Sequence, residues 1–186
     1  KKNLSDQERT TVTQLIQQAI TEAKVAVSIN PQRAGSWENL ARIYQLIMAF
    51  ATGADNFAIQ SFNQAVALDP INPNLRISLG GAYYALGRYD EAISTFQLAI
   101  LAKPDLANAH YNLAIAYREK NDVKKATEEI NIVLTLVGKD TADYETAIKE
   151  LKNLESLTPP AEKPAQVIKP PLELPKEANP PSSPTP

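Results

Sequence analysis

The sequence predicts an all-α protein built as a solenoid of antiparallel helix pairs, because three features recur along it. Residues 78–83 (Ser-Leu-Gly-Gly-Ala-Tyr) align with residues 112–117 (Asn-Leu-Ala-Ile-Ala-Tyr) at an offset of 34 positions, and residues 39–44 follow the same pattern. Within each unit, apolar residues recur at i, i+3, i+4 and i+7, the spacing of one helix face. Pro70 and Pro104 close successive units, since proline cannot continue a helix interior. A period of this length indicates stacked units that bury each other's apolar faces.

Residues 1–33 are expected to form one long helix in front of the repeats. Residues 5–8 (Ser-Asp-Gln-Glu) read as a capping box, and an apolar stripe runs from Val12 to Val27. At about 1.5 Å per residue, a helix over 5–29 is roughly 37 Å long, against roughly 20 Å for an ordinary repeat helix. Five extra residues in the first repeat are expected to lengthen the next helix through Phe50, so that two overlong helices pack together.

The remainder of the chain divides into units by the same pattern. Gly87 and the pair Asn121-Asp122 mark turns between the two helices of a unit. A last amphipathic stretch with Lys and Glu on its outer face suits a capping helix, which a repeat array requires for solubility. The expected order is repeats at 34–72, 73–106 and 107–139, a capping helix at 140–157 and a tail at 158–186.

The tail differs sharply in composition from everything before it. Ten of the 14 prolines lie between Pro159 and Pro186, a stretch without Gly, Tyr, Phe or Trp. We expect it to be extended, with polyproline II character. It is either a linker or stalk, or a segment that docks on a neighbouring molecule. The docking residues would be Val167, Ile168, Pro170, Pro171, Leu172 and Leu174.

Composition excludes several classes of function. Nineteen Lys and Arg balance 21 Asp and Glu, which argues against nucleic acid and helical RNA-binding repeats. With one His and no Cys, neither a zinc site nor a Cys–His pair can be assembled within one chain, and no glycine-rich phosphate loop is present. We therefore expect no cofactor, no metal and no catalysis. No apolar run approaches the roughly 18 residues of a membrane span, so direct membrane insertion is not expected.

The repeats resemble the tetratricopeptide repeat family in its bacterial type. Its order of a bulky residue, Leu, small, Tyr, then small, aromatic, small and Pro is met by Trp37, Leu40, Ala41, Tyr44, Ala58, Phe62, Ala65 and Pro70. Arg76 and His110 depart from it at the place of Trp37, and His110 is interpreted as a packing residue and not a base. The resemblance covers about residues 34–138. It implies a right-handed α-solenoid that binds a protein or peptide without catalysis.

In this family, the first helix of each pair lines a concave groove, and the resemblance gives a list of groove residues. They are Glu38, Arg42, Gln45, Asn74, Ile77, Tyr84, Asn108, Tyr111, Ile115 and Arg118. An apolar, aromatic centre suits an extended peptide with apolar or proline side chains. The alternative is that Tyr84 and Tyr111 only pack between helices. The lysines with which a family variant clamps chaperone carboxylates are missing here, so a chaperone-tail receptor is not expected.

Three functions stay open at this stage. The first is a peptide-binding scaffold whose groove accepts its own tail from a neighbour, giving a homo-oligomer. The second is a subunit of an extracellular filament of stacked solenoids, and the third is an accessory domain of a larger bacterial membrane-anchored protein or enzyme. An extracellular or cell-surface location is favoured over the cytoplasm. Candidate glycosylation residues are Asn3, Ser182, Ser183 and Thr185.

Overall fold

A computed structural model describes residues 5–157 of the chain. This part consists of eight α-helices without a strand, which confirms the all-α solenoid of antiparallel helix pairs. Consecutive helices pack against each other along the whole described region. In order they are α1 Asp6–Ile29, α2 Ala34–Ile47, α3 Ala54–Leu68, α4 Pro73–Ala85, α5 Tyr89–Ala102, α6 Ala107–Glu119, α7 Val123–Leu136 and α8 Ala142–Leu157.

The core is a series of apolar clusters along the stack. One cluster joins α1 to α2 and α3, and it includes Val27, Tyr44 and Ala58. A second joins the first helix pair to α4, and the largest spans α5 to α8 with Leu154 at its far end. Each helix pair therefore buries its apolar face against the next, as expected of a repeat array.

The turns inside the three pairs share one backbone geometry. Gly53, Gly87 and Asn121 have positive φ values of 80°, 71° and 59°, and they occur 34 positions apart, just before α3, α5 and α7. A left-handed residue at this point reverses the chain into the second helix, and Gly and Asn adopt it at the lowest cost. Gly87 and Asn121 are at the turns that the sequence predicts.

The connections between pairs are closed by a side-chain N–H donor six residues after a proline. Trp37 Nε1 donates to the Pro31 carbonyl oxygen over 2.8 Å. Arg76 Nη1 donates to the Pro70 carbonyl oxygen, and His110 Nε2 lies 2.9 Å from the Pro104 carbonyl oxygen. The two departures from the family pattern therefore make the same hydrogen bond as the residue they replace.

The expectation of a lengthened second helix is wrong. α2 ends at Ile47 and has 14 residues, whereas α1 has 24, so α1 alone is overlong. The extra residues form the turn at 48–53, where Met48 and Ala51 pack against the same apolar cluster as Ile16 and Ile20 of α1. An apolar pattern that looks helical thus continues into a loop, because the loop residues pack against the same cluster as the helix before them.

Several predicted sites fall outside the described residues. They are the docking segment with Val167, Ile168, Pro170, Pro171, Leu172 and Leu174, and the glycosylation candidates Asn3, Ser182, Ser183 and Thr185.

Candidate functional site

The predicted groove residues lie on α2, α4 and α6, and polar contacts link these helices to each other and to α8. Between α2 and α4, Arg42 Nη2 pairs with Glu38 Oε1 at 2.7 Å and donates to Ser78 Oγ at 3.3 Å. Ser78 Oγ also donates to Glu38 Oε1 at 3.4 Å. Glu38 and Arg42 therefore satisfy each other and connect two repeats.

A second set of contacts connects α4, α6 and α8. Tyr84 Oη donates to Glu119 Oε1 at 3.3 Å, and Arg118 Nη2 donates to the same carboxylate oxygen at 2.7 Å. The other terminal nitrogen of Arg118 reaches Glu150 Oε1 on α8, also at 2.7 Å. Arg118 thus ties α8 to the groove helices.

The electrostatics of this region favour neutral phenols beside a permanent cation. Desolvation and the nearby Glu119 raise the pKa of Tyr84, and desolvation and Glu150 raise the pKa of Tyr111. Hydrogen bonds to Glu119 and Glu150 raise the pKa of Arg118 further above its already high value. At neutral pH these groups can hold a ligand by ring contact and hydrogen bonding, but they offer no proton donor or acceptor tuned for catalysis.

The groove residues other than Glu38, Arg42, Tyr84 and Arg118 are less engaged in polar contacts, and the apolar and aromatic residues of the groove are half-buried. Ile77, Tyr84 and Tyr111 are half-buried against the large apolar cluster. Asn108 is exposed, and its Oδ1 accepts from Asn112 at 2.9 Å, so its own amide N–H groups are oriented by that bond. Gln45 and Ile115 are half-buried and Asn74 is exposed.

Two cavities lie at the ends of this surface, and both involve helices other than α2, α4 and α6, on which the predicted groove residues lie. One of about 340 Å³ is shared by α6, α7 and α8. Its lining residues are Ala107, Asn108, Tyr111, Val133, Val137, Asp143 and Thr146. The other, of about 650 Å³, separates α1 from α2 and is called the N-terminal furrow below. It is lined by Ala19, Glu22, Ala23, Ala26, Arg33, Gly35, Ser36, Glu38, Asn39, Arg42, Ile43 and Leu46.

The contribution of α1 was detectable in the sequence only in part. Its apolar stripe was visible, but a stripe of about eight positions is wider than one packing contact needs. Ala23 and Val27 are buried against α2, whereas Ala19 and Ala26 line the furrow. Which residues of the stripe are buried and which line the furrow depends on the side from which α2 packs against α1.

His110 serves the fold. It is 6% exposed, and Nδ1 lies 2.6 Å from Glu129 Oε2 on α7 while Nε2 faces the Pro104 carbonyl oxygen. Both ring nitrogens are engaged with acceptors of the protein itself. This arrangement agrees with the interpretation of His110 as a packing residue.

Comparison with known proteins identifies the repeats. Residues 56–110 match the family described as Tetratricopeptide repeat. The chain carries tetratricopeptide repeats. Over 92 residues it is 30% identical to Superkiller complex protein 3 of Mus musculus, a match that spans 50% of this chain and 6% of that protein.

Two solved structures show the same tetratricopeptide fold. TTC0263, described as a thermophilic TPR protein in Thermus thermophilus, is 22% identical with a TM-score of 0.63, covering 76% of this chain and 77% of that one. The first TPR of Spaghetti (RPAP3), bound to HSP90 peptide SRMEEVD, is 22% identical with a TM-score of 0.57, covering 67% and 94%. At this identity the likeness concerns the fold alone.

In the described part of this tetratricopeptide chain, no helix is long and apolar enough to cross a membrane.

Proposed function

We propose that this protein is a non-catalytic scaffold that binds an extended peptide with apolar and proline side chains in the groove of α2, α4 and α6. The observation that carries the proposal is the half-buried apolar row Ile77, Tyr84, Tyr111 and Ile115, bordered by the Glu38–Arg42 and Arg118–Glu150 ion pairs. Aromatic rings provide contact area at low entropic cost, and grooves lined with them suit the polyproline II conformation.

The tetratricopeptide fold supports a protein or peptide partner, since the Spaghetti (RPAP3) domain is solved with an HSP90 peptide. The groove of this chain calls for a different peptide. Glu38 and Arg42 are engaged with each other, and no lysine occupies a predicted groove position on α2, α4 or α6. We therefore expect that a peptide ending in an acidic sequence is not the preferred ligand.

The ligand we propose is the protein's own segment 164–176, supplied by a neighbouring molecule. Its apolar and proline residues fit the aromatic row, and 28 residues in polyproline II conformation would reach about 85 Å. Docking in this way joins one molecule to the next, and it forms an open filament if the rotation between neighbours does not close.

Calorimetric titration of a synthetic peptide covering 164–176 into the chain cut at Thr158 tests this proposal. We expect saturable binding that the double variant Tyr84→Ala, Tyr111→Ala abolishes while helicity by circular dichroism is kept. Because alanine at these half-buried positions also removes packing, Tyr84→Phe provides the matched control, in which the ring stays and only the hydroxyl is lost.

Peptide variants give an arm that does not depend on the fold of the protein. Replacing Leu172 and Leu174 of the peptide by Ser should weaken binding at least tenfold. Equal affinity of the two peptides, or full binding by the alanine double variant, would refute the groove assignment. The full chain and the chain cut at Thr158 should also differ in light scattering, since only the full chain carries the docking segment.

A second role is supported by the size of the relative. Superkiller complex protein 3 of Mus musculus is matched over only 6% of its length. We propose that this chain can also act as an interaction module within a longer protein, at an extracellular or cell-surface location. Sequencing of the transcript that encodes the chain tests whether it is part of a longer protein. Immunogold labelling of intact cells tests the extracellular or cell-surface location.

A further inference from the structure

The first half of α1 lies beyond the rest of the solenoid. Residues 5–15 are all exposed, and the first residue of α1 that packs against the cluster of α1 to α3 is Ile16. Val12 is 42% exposed and Leu15 is 59% exposed, although both belong to the apolar stripe of this helix. About ten residues, or about 15 Å of helix, therefore lie beyond the apolar cluster of α1 to α3.

Local forces do little to stabilise this half of the helix. A helix of this length is marginal in water without packing, and threonine is a weak helix former. The hydroxyls of Thr10, Thr11 and Thr13 bond back to carbonyl oxygens four residues earlier, which adds no contact with another element. Residues 10–21 also contain no charged side chain. An uncharged, partly apolar helix face of this kind suits a protein contact better than water.

The exposed residues continue directly into the N-terminal furrow. With 100° per residue, Val12, Leu15, Ala19 and Ala26 lie on one side of α1, and the two alanines line the furrow. The opposite wall includes Leu46, which is 77% exposed. Together they form a continuous strip, called the α1 strip below, with large residues at one end and small residues at the other.

The other end of the solenoid does not fit the α1 strip. The exposed positions of α8 include Glu145, Lys149 and Lys152, so stacking α8 on the strip would bury charges against its apolar end at Val12 and Leu15. The strip of a second copy fits better. If two α1 helices run antiparallel, Leu15 of each copy lies over Ala19 of the other, and large residues meet small ones on both sides.

Charge supports the same arrangement. Glu8 precedes Val12 by one turn on the strip side, and antiparallel pairing brings it opposite Ala26, where the furrow also presents Arg33. Neither Arg33 nor the second copy's Glu8 would then lack an opposite charge. Contact from Glu8 to Ala26, about 28 Å long and about 20 Å wide, buries about 1,100 Å² over both copies, which is at the low end for specific dimers.

We propose that the α1 strip is a homodimer interface, in which two copies pair through antiparallel α1 helices around a two-fold axis. Such a contact is isologous and closes on itself, so it produces a dimer and no filament. It shares Glu38 and Arg42 of α2 with the groove border, but it uses no residue of α4, α6 or the tail. The two α8 helices lie at the far ends of the dimer.

Sedimentation velocity of the full chain and of the chain cut at Thr158, from about 1 to about 300 µM, tests the proposal. We expect the chain cut at Thr158 to show a monomer–dimer equilibrium, because the α1 strip does not include the tail, and the full chain to show the same dimer together with the larger assemblies that the tail adds. The double variant Leu15→Glu, Leu46→Glu should raise the dissociation constant at least tenfold. The matched control is Leu98→Glu on α5, at 51% exposure, which should leave the equilibrium unchanged.

Cysteine cross-linking tests the antiparallel register, since the chain has no cysteine of its own. Leu15→Cys and Ala19→Cys proteins, oxidised as a mixture, should form a mixed disulfide dimer, and each alone should remain largely uncross-linked. Strong cross-linking of Leu15→Cys alone would overturn the antiparallel register. A chain cut at Thr158 that stays monomeric over the whole concentration range would overturn the dimer. Binding of the 164–176 peptide by the Leu15→Glu, Leu46→Glu variant would show that the groove proposal does not depend on the dimer.

Discussion

Tyr44, Tyr83 and Tyr117 hold equivalent places in the three predicted repeats, yet each ring meets a different group. Phe57 stacks on Tyr44 with ring centroids 5.1 Å apart. The Arg88 guanidinium lies 4.7 Å from the Tyr83 centroid, and Lys125 Nζ lies 5.2 Å from that of Tyr117. A ring face accepts an aromatic or a cationic neighbour with comparable gain, so the residue that contacts this tyrosine can differ between repeats.

Gly80 and Gly81 form a natural pair for measuring close helix packing. A Cβ on Gly80 would lie 2.5 Å from Phe96 Cε1, whereas a Cβ on Gly81 would meet nothing within 4 Å. We expect Gly80→Ala to destabilise the protein by about 1–3 kcal/mol, because the buried Phe96 ring must move. Gly81→Ala should stabilise it by about 0.5–1 kcal/mol through helix propensity. Urea unfolding of both variants measures these changes. Equal changes in the free energy of unfolding would contradict the close packing of Gly80 against Phe96.

His110→Phe should keep the volume of the side chain but remove both polar contacts of the ring. Glu129, whose side chain is 19% exposed, and the Pro104 carbonyl oxygen would each lose their donor. We expect a loss of about 1–3 kcal/mol in the free energy of unfolding. Adding Glu129→Leu should recover part of this loss, because the carboxylate no longer needs a partner. An additive double variant would show that the His110–Glu129 contact contributes nothing.

At the scale of the element, the start of α1 is held by the predicted capping box. Glu8 Oε2 accepts from the Ser5 backbone N–H at 2.7 Å and from Ser5 Oγ at 2.9 Å, while the Glu8 N–H donates to Ser5 Oγ. The bonds from Ser5, that from its backbone first, lower the pKa of the Glu8 carboxyl below its usual range. The box therefore stabilises the helix start fully above the unfolded-state pKa.

This stabilisation should be lost as pH falls through the lowered pKa of Glu8. Carbon-13 NMR titration of the side-chain carboxyls should place Glu8 below an ordinary glutamate, with the Ser5 and Asp6 amide shifts moving at the same midpoint. In Glu8→Gln those amide shifts should no longer titrate there. A Glu8 midpoint at or above the ordinary value would mean that the box does not form in solution.

The order of helices followed from the repeat pattern, but the length of α2 did not. Helical spacing continues past Ile47, and nothing in the sequence says that Met48 and Ala51 join the cluster of α1 to α3 from a turn. The decisive feature is Gly53, which lies 34 positions before Gly87, as Gly87 does before Asn121, and has a positive φ like both of them. The start of α3 is thus fixed by a left-handed residue, and the extra residues collect before it.

At the scale of the molecule, stability is passed from neighbour to neighbour. Leu154 of α8 is fully buried in the cluster that spans α5 to α8, and α8 is tied to α6 by the Arg118–Glu150 pair. Helices α1 to α3 have their own cluster. In an array of this kind, damage at one end weakens that end first.

Leu154→Ala should therefore cost about 2–5 kcal/mol and release α8 before the rest of the chain. Hydrogen exchange should show faster exchange in α7 and α8, with α2 and α3 little changed. Leu157→Ala in the same helix is the control, since Leu157 is 51% exposed and should change the stability by less than about 0.5 kcal/mol. Uniform acceleration in all helices would contradict neighbour-by-neighbour coupling.

The groove could be predicted only as far as the register of α2, α4 and α6. That register places Tyr84 and Tyr111 on one surface without any knowledge of distance. The contributions of Asp143 and Leu46 depend on how neighbouring helices pair, which a 34-residue repeat does not encode at its ends. The partner of a terminal helix has no equivalent elsewhere in the sequence, so its exposed side emerges only in three dimensions.

The bond that closes each inter-repeat connection has a consequence for how distant repeats can be recognised. Trp37, Arg76 and His110 share no size, charge or hydropathy, and a residue-by-residue comparison scores them as mismatches. They share an N–H group that reaches a carbonyl oxygen six positions earlier. A search that asks for a donor of sufficient reach after proline, in place of a particular amino acid, would align all three.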